Sequence, residues 1–291
     1  MTPLPFETHS DGILVLKLEQ PGKPVVVLDE ELIRRLDATL DALPRNIVGL
    51  VLASASERVF VAGADLNAIQ TLSDDQLHRY LAYASSVYAK LSQLPYPTAA
   101  AINGAALGGG LELAMHCDGL IGAPGVKPYP VGLPEAGLGI CPGWGGTCLL
   151  PARIDATDAI RRTAAGKPLM FDEAVAAGLF DVVVADQASL LGAAKLWVSG
   201  KAREPRIERD GAPSRHAGRV KWAANAVRAC DALRGELAGS QTGAAVLACV
   251  DAGLTKGWNA CLDTEQRELV RLRHTPQARE AIAAFFAKSK K

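Results

Sequence analysis

Three consecutive glycines, Gly108 to Gly110, precede Glu112 in the string AINGAALGGGLELAMHCD, which runs from Ala101 to Asp118. The apolar residues before the glycines read as a strand, and Leu111 to Cys117 reads as a helix. Glycines at such a junction let a ligand reach the backbone closely. The first N–H groups of a helix have no acceptor within it and carry partial positive charge. An oxygen that gains negative charge in a reaction, such as a thioester oxygen becoming an enolate, suits that place. Glu112 falls in the first turn, beside it. Taken alone, the string also fits a tight strand-to-helix junction in which Glu112 only favours the helix dipole. Its spacing is not the dinucleotide fingerprint G-x-G-x-x-G, and no serine sits in a G-x-S-x-G elbow.

A second carboxylate, Glu135, lies in GLPEAGLGICPGWGGT, from Gly132 to Thr147, and no charged residue occurs from Leu138 to Ala152. Apolar surroundings favour the neutral form of a carboxyl group, which suits a group that trades protons near neutral pH. A solvent-facing loop carboxylate is the alternative. A third piece, VFVAGADL from Val59 to Leu66, places Gly63 in a loop after a short apolar run. Asp65 there reads as a loop-organising acceptor rather than an acid. His116, four residues after Glu112, shares its helix face and either pairs with it or packs.

The elements that must position these residues alternate. Ile13 to Leu18, Ile47 to Ala53, Thr98 to Ile102 and Phe180 to Ala185 read as strands, the second of them buried on both faces. Helices are expected from Asp29, as a cap, to about Leu43, from Ser73 to Leu94, and from Phe171 to Gly178. Gly119 to Gly146 reads as loop-rich, and Gly200 to Arg219 as an exposed connection. Beyond it the pattern is helical. The alternation predicts an α/β class, with a core over residues 1–195 and a helical region over 196–291.

The chain has 291 residues, with 31 Lys and Arg against 31 Asp and Glu. A zero net charge argues against a general nucleic-acid or membrane-surface binder. Apolar residues reach 49 % but aromatics only 5 %, so the core is expected to be aliphatic. The six cysteines form no C-x-x-C pair and fit no zinc pattern, which predicts reduced, buried thiols in a cytoplasmic protein and no metal. No basic-then-apolar leader opens the chain, and no apolar stretch is long enough for a membrane span.

Together the AGAD-L, NGxALGGGxELAxxCD and LPExxLGxxPGxGGT strings resemble the crotonase (enoyl-CoA hydratase/isomerase) superfamily in order and spacing. TAAGKPLMFDEAVAAGLFDVVV, from Thr163, is similar to the helix and strand after the site in that family. The final stretch, from Leu262, is similar to the end of the hydratase domain in fatty-acid oxidation multifunctional proteins. The resemblance implies a ClpP/crotonase-like spiral of ββα units with a helical C-terminal region, which serves oligomerisation and the CoA pocket. It implies an oxyanion hole from the backbone N–H groups of Ala64 and Gly109, and a backbone N–H at Gly143 that helps hold the attacking water. Glu112 is then the base and Glu135 the acid in hydration of a 2-trans-enoyl-CoA to a 3-hydroxyacyl-CoA, as in β-oxidation.

By the same resemblance Ala62, Gly63, Asp65, Leu66, Trp144 and Lys288 fall at substrate or CoA positions, although Trp144 also reads as a packed residue and Lys288 as part of a solvated end. No cofactor is implied beyond the CoA of the substrate, and the assembly implied is a homotrimer or a dimer of trimers. Two glutamates favour hydration over Δ3,Δ2-enoyl-CoA isomerisation or another lyase reaction, and over a non-catalytic acyl-CoA-binding scaffold. One departure stands out: Gly119 to Pro134 is longer and richer in proline than the family pattern, around Lys127 to Pro130.

Overall fold

A computed structural model of the chain describes residues 2–204 and 210–289. Its strands are β1 (Phe6–Thr8), β2 (Ile13–Leu18), β3 (Gly49–Ser54), β4 (Val59–Val61), β5 (Thr98–Ile102), β6 (Ala105–Leu107), β7 (Gly119–Gly122), β8 (Pro130–Gly132), β9 (Leu169–Met170) and β10 (Val182–Val183). They form a six-stranded sheet of order β1-β2-β3-β5-β7-β10 and a four-stranded sheet of order β4-β6-β8-β9. The β1–β2 and β8–β9 pairs are antiparallel. The pairs that join β2, β3, β5, β7 and β10 are parallel, as is β4 with β6.

The helices are α1 (Glu30–Ala42), α2 (Leu66–Thr71), α3 (Asp74–Gln93), α4 (Gly109–Met115), α5 (Gly146–Leu149), α6 (Ala156–Ala165), α7 (Phe171–Ala176), α8 (Gln187–Lys201), α9 (Val220–Leu237), α10 (Gln241–Lys256), α11 (Trp258–Leu272) and α12 (Pro276–Ser289). From β3 to β8 successive strands go alternately to the large and the small sheet, and helices follow each such pair. This is the spiral of ββα units expected from the sequence, with a helical region after it.

The chain divides into two compact units, each discontinuous in sequence. The first comprises Met1–Ala64, Ser86–Val131 and Leu169–Ser214. The central strands β3, β5 and β7 of its large sheet are buried on both faces, which accounts for near-continuous apolar strands rather than alternating ones. β5 reads T-A-A-A-I with every residue buried. The small alanines leave room for α8, whose Leu190, Ala194 and Val198 join Val15, Val51, Ala99, Ala101 and Ile121 in one cluster. Asp29 caps α1, accepting from the Leu32 N–H at 2.8 Å, and the helix buries Leu32, Ile33, Leu36 and Leu40.

The second unit comprises Asp65–Ser85, Gly132–Pro168 and Arg215–Lys291. Here Asp155 caps α6 through the Asp158 N–H at 2.9 Å, and Ser240 caps α10 through the Gly243 N–H at 3.2 Å. The boundary drawn at residue 195 separates strand-bearing from all-helical sequence, whereas these compact units are interleaved along the chain.

Four features differ from the sequence expectations. The Gly119–Gly146 stretch contains β7 and β8, hidden because glycines stand at strand ends where a periodic pattern needs side chains. Helices α2, α5, α6 and α8 went unanticipated; in α8 apolar residues occur all round, so that Leu196 is 75 % exposed and no clean stripe is visible. α4 begins at Gly109, two residues before the apolar run. The Gly200–Arg219 connection is not exposed throughout: Ala212, His216 and Ala217 are buried, and the Ala217 N–H donates to the Cys148 carbonyl at 2.8 Å. Residues 205–209 of that connection, and Lys290 and Lys291 at the tail, lie outside the described residues. All six cysteines are buried, as expected.

Candidate active site

The two expected oxyanion donors, Ala64 and Gly109, both belong to the first unit, and strand register relates their positions. β4 and β6 are parallel, with Val61 opposite Ala106. Ala64 and Gly109 therefore lie the same three residues beyond a registered pair, one on each chain. The turn at Ala62–Ala64 is tied to residues 26–28: the Ala62 N–H donates to Val26 at 2.8 Å, and the Leu28 N–H to Gly63 at 2.9 Å. A parallel bridge joins Leu28 and Ala64. Gly63 has φ +123°, and a Cβ there would stand 3.2 Å from the Leu107 carbonyl oxygen, so both backbone conformation and space require glycine. Gly110 is required by closeness: a Cβ on it would meet the Val61 carbonyl oxygen at 2.5 Å. The start of α4 is thereby pressed onto the end of β4.

The Glu112 N–H closes the first turn of α4 onto Gly108 at 3.0 Å. The N–H groups of Gly109, Gly110 and Leu111 are the ones an α-helix leaves without an internal acceptor. All seven residues of α4 are buried, and Glu112 is 1 % exposed. The His116 Nδ1 lies 2.8 Å from the Glu112 main-chain oxygen, and the ring packs edge-on to Tyr88 at 5.2 Å. Burial pushes its pKa down to about 4, so it is a neutral core histidine that ties off the end of α4.

The second unit holds Glu135, Gly143, Trp144, Asp65, Leu66 and Lys288. Glu135 opens a 3₁₀ turn, Glu135–Leu138, straight after Pro134, and its carbonyl accepts from the Ile140 N–H at 3.1 Å. Its Oε2 is enclosed and has no hydrogen-bond partner among the described residues. Burial, and then the charge of Glu265, push its pKa up to about 8. Gly143 is buried in the loop that follows, where a Cβ would come within 3.1 Å of Leu269 and 3.2 Å of Leu81.

Trp144 is 2 % exposed. Its indole N–H donates to Leu81 at 3.1 Å and its ring stands edge-on to Tyr80 at 5.8 Å, so it is packed within its own unit. Asp65 caps α2 by accepting from the Asn67 N–H at 2.9 Å, and Leu66 is the first residue of that helix. Lys288 is exposed in the last turn of α12. Tyr129, in the proline-rich departure, is buried: its hydroxyl donates to Ala123 at 2.6 Å and its ring stacks on Phe171 at 5.0 Å.

One acidic residue that the sequence reading passed over belongs here. Glu265 on α11 is fully buried. Its carboxylate accepts from the Gly145 N–H at 2.5 Å, the Thr147 N–H at 2.9 Å and the Thr147 hydroxyl at 2.5 Å. The signal was present: Glu265 sits between Cys261 and Leu269 at four-residue spacing, on the apolar stripe of the helix, where a solvated glutamate has no place. Burial raises its pKa to about 7, against the lowering effect of Thr147 and Gly145. Among the described residues no group of three or more His, Cys, Asp or Glu side chains is arranged to hold a metal ion.

A family model described as enoyl-CoA hydratase/isomerase matches residues 8–210. Among solved structures, the chain is similar to an enoyl-CoA hydratase from Bacillus anthracis at 25 % identity, covering 99 % of this chain and 97 % of that one with a TM-score of 0.64. It is similar to the human mitochondrial delta3-delta2-enoyl-CoA isomerase at 22 % identity, covering 99 % and 98 %, with a TM-score of 0.72. A third likeness is to an enoyl-CoA hydratase from Bacillus halodurans at 20 % identity, covering 97 % and 100 %, with a TM-score of 0.69.

Proposed function

Because the chain belongs to the enoyl-CoA hydratase/isomerase family, we propose that it adds water across the double bond of a 2-trans-enoyl-CoA to give the 3-hydroxyacyl-CoA. The thioester oxygen accepts from the N–H groups of Ala64 and Gly109. As oxygen adds to the β-carbon, charge builds on that thioester oxygen, and each preorganised donor is worth about 3 kcal/mol at that moment. Glu112 takes the proton of the attacking water. Glu135 delivers a proton to the α-carbon. Proton transfer of this kind contributes about 10²–10⁴-fold.

The observation that carries this reading is Glu112: a carboxylate 1 % exposed in the first turn of α4, beside the open donors, in a chain that also has Glu135. The high pKa of Glu135, about 8, supports the acid role, since the group then holds its proton at neutral pH. No cofactor enters beyond the CoA that the substrate carries. The acyl-chain preference is proposed to depend on the folded-in segment around Tyr129. We also propose assembly into homotrimers or dimers of trimers; the exposed Val220, Val227 and Phe285 on the C-terminal helices support a covered surface there.

The test is a substrate assay. Loss of the conjugated thioester absorbance with 2-enoyl-CoA is the expected result. Its gain with 3-enoyl-CoA, with no hydration of 2-enoyl-CoA, would assign the isomerase reaction instead. Thioester binding without turnover of short, medium and aromatic enoyl-CoAs would assign a binding role.

A further inference from the structure

The segment from Glu135 to Thr147 is fastened to α11 at consecutive points, all within the second unit. The Ile140 N–H closes back on the Glu135 carbonyl at 3.1 Å. The next residue, Cys141, donates its thiol to the Glu265 main-chain oxygen at 3.4 Å. The Gly143 carbonyl accepts from Gln266 Nε2 at 3.5 Å, and that same nitrogen donates to the Ser85 hydroxyl at 2.9 Å. Gly145 and Thr147 then supply the three donors to the Glu265 carboxylate. One residue, Glu265, thus holds both flanks of the turn that contains Gly143, by its main chain on one side and its side chain on the other.

The surroundings make that carboxylate matter electrically. The titratable groups about it are Cys141 and Glu135 on the fastened segment, Cys148 on α5, Cys249 on α10, and Cys261 with Glu268 on α11. Burial helps to push Cys141, Cys249 and Cys261 up, so these thiols carry no charge near neutral pH. No Lys or Arg among the described residues forms an ion pair with Glu135 or Glu265. A negative charge on Glu265 is therefore felt by Glu135 with little compensation in a medium where like charges repel strongly.

We propose that Glu265 is a positioning residue for the reaction: it clamps the Gly143 turn between its main chain and its side chain, and its negative charge adds to the burial that disfavours ionisation of Glu135. The proposal rests on the hydration reading for its catalytic meaning, but its physical content does not. The two carboxyl groups titrate as a linked pair, and neutralising one must make the other easier to ionise.

The experiment uses the full chain. The Glu135 carboxyl band is followed by infrared spectroscopy from pH 5 to 10 and assigned by its loss in Glu135→Gln. In Glu265→Gln, which keeps the volume and an acceptor for Thr147, the Glu135 midpoint is expected to fall by about one pH unit. The alkaline limb of kcat moves with it, and KM stays within about two-fold, as for a loss felt in the reacting complex. An unmoved Glu135 midpoint overturns the proposal.

If Glu265→Gln does not fold, Thr147→Val replaces it. Removing one donor raises the Glu265 midpoint, so Glu135 ionises before its neighbour is charged and its midpoint must again fall; no change refutes the inference. Wild-type protein that turns over no enoyl-CoA would defeat the hydration reading alone, since the infrared titration needs no substrate.

Discussion

Gly110→Ala tests whether closeness between α4 and β4 sets the proposed donor cradle. A Cβ at residue 110 would stand 2.5 Å from the Val61 carbonyl oxygen and 2.7 Å from its Cβ, whereas ordinary contact starts near 3.4 Å. The two backbones must separate by up to about 0.9 Å, since neither obstructing atom is the end of a flexible side chain. Overpacking of this kind costs about 1–3 kcal/mol. The helix-propensity gain of alanine over glycine offsets up to about 1 kcal/mol of that.

The net expectation is a loss of about 1–2 kcal/mol in urea unfolding. Gly109 is the neighbouring residue, and its N–H moves with α4. A displacement near 1 Å of a positioned group costs about 10²-fold, so kcat/KM for the proposed hydration falls about 10- to 100-fold. Gly192→Ala is the control: it lies within α8, and a Cβ there meets nothing within 4 Å. It should gain up to about 1 kcal/mol and leave turnover unchanged. If Gly110→Ala behaves like Gly192→Ala in both assays, the register argument for the cradle is wrong.

Other outcomes follow from the buried ionisable groups. Glu265 has its folded pKa raised from 4.5 to about 7, so the native state keeps a proton that the unfolded chain releases. Stability is then lost as pH rises from about 4.5 to 7, and Glu135, raised to about 8, adds its own loss over the same range; urea unfolding at pH 5 and 8 reads the sum, and Glu265→Gln should reduce the change without abolishing it. Turnover should decline as pH rises through about 8, where Glu135 gives up its proton; a rate unchanged from pH 7 to 9.5 contradicts the acid role. His116 should be neutral and protonated at Nδ1, as its bond to the Glu112 carbonyl requires. Nitrogen-15 shifts of its ring should stay constant from pH 8 to 5, and a midpoint near 6.5 would show that the ring is not buried as described.

Glycine reports backbone geometry: Gly63 and Gly110 stand where no side chain fits, each next to a position, Ala64 or Gly109, where the resemblance places a proposed donor. Strands β3 and β5 were legible because both-face burial leaves a near-continuous apolar run. β7 and β8 were not, since glycine and proline at their ends carry no periodic signal, and tertiary pairing alone makes them strands. α8 was obscured by apolar residues around its whole circumference. Glu265 escaped notice because a charged residue in a helix reads as surface unless its place on the stripe is checked. Its three donors come from residues 118–120 positions earlier, a long-range pairing that no local pattern can encode.

Hydration by Glu112 and Glu135 acting in one step is tested most directly by initial rates on a 2-enoyl-CoA for wild type, Glu112→Gln, Glu135→Gln and the double variant, with acyl-CoA affinity measured on each. Groups that act as a unit give losses that do not add. Each single variant should lose at least about 10²-fold in kcat while still binding acyl-CoA, and the double variant should be little worse than the poorer single one. Wild-type-like turnover in either single variant, or losses that multiply in the double, would contradict it.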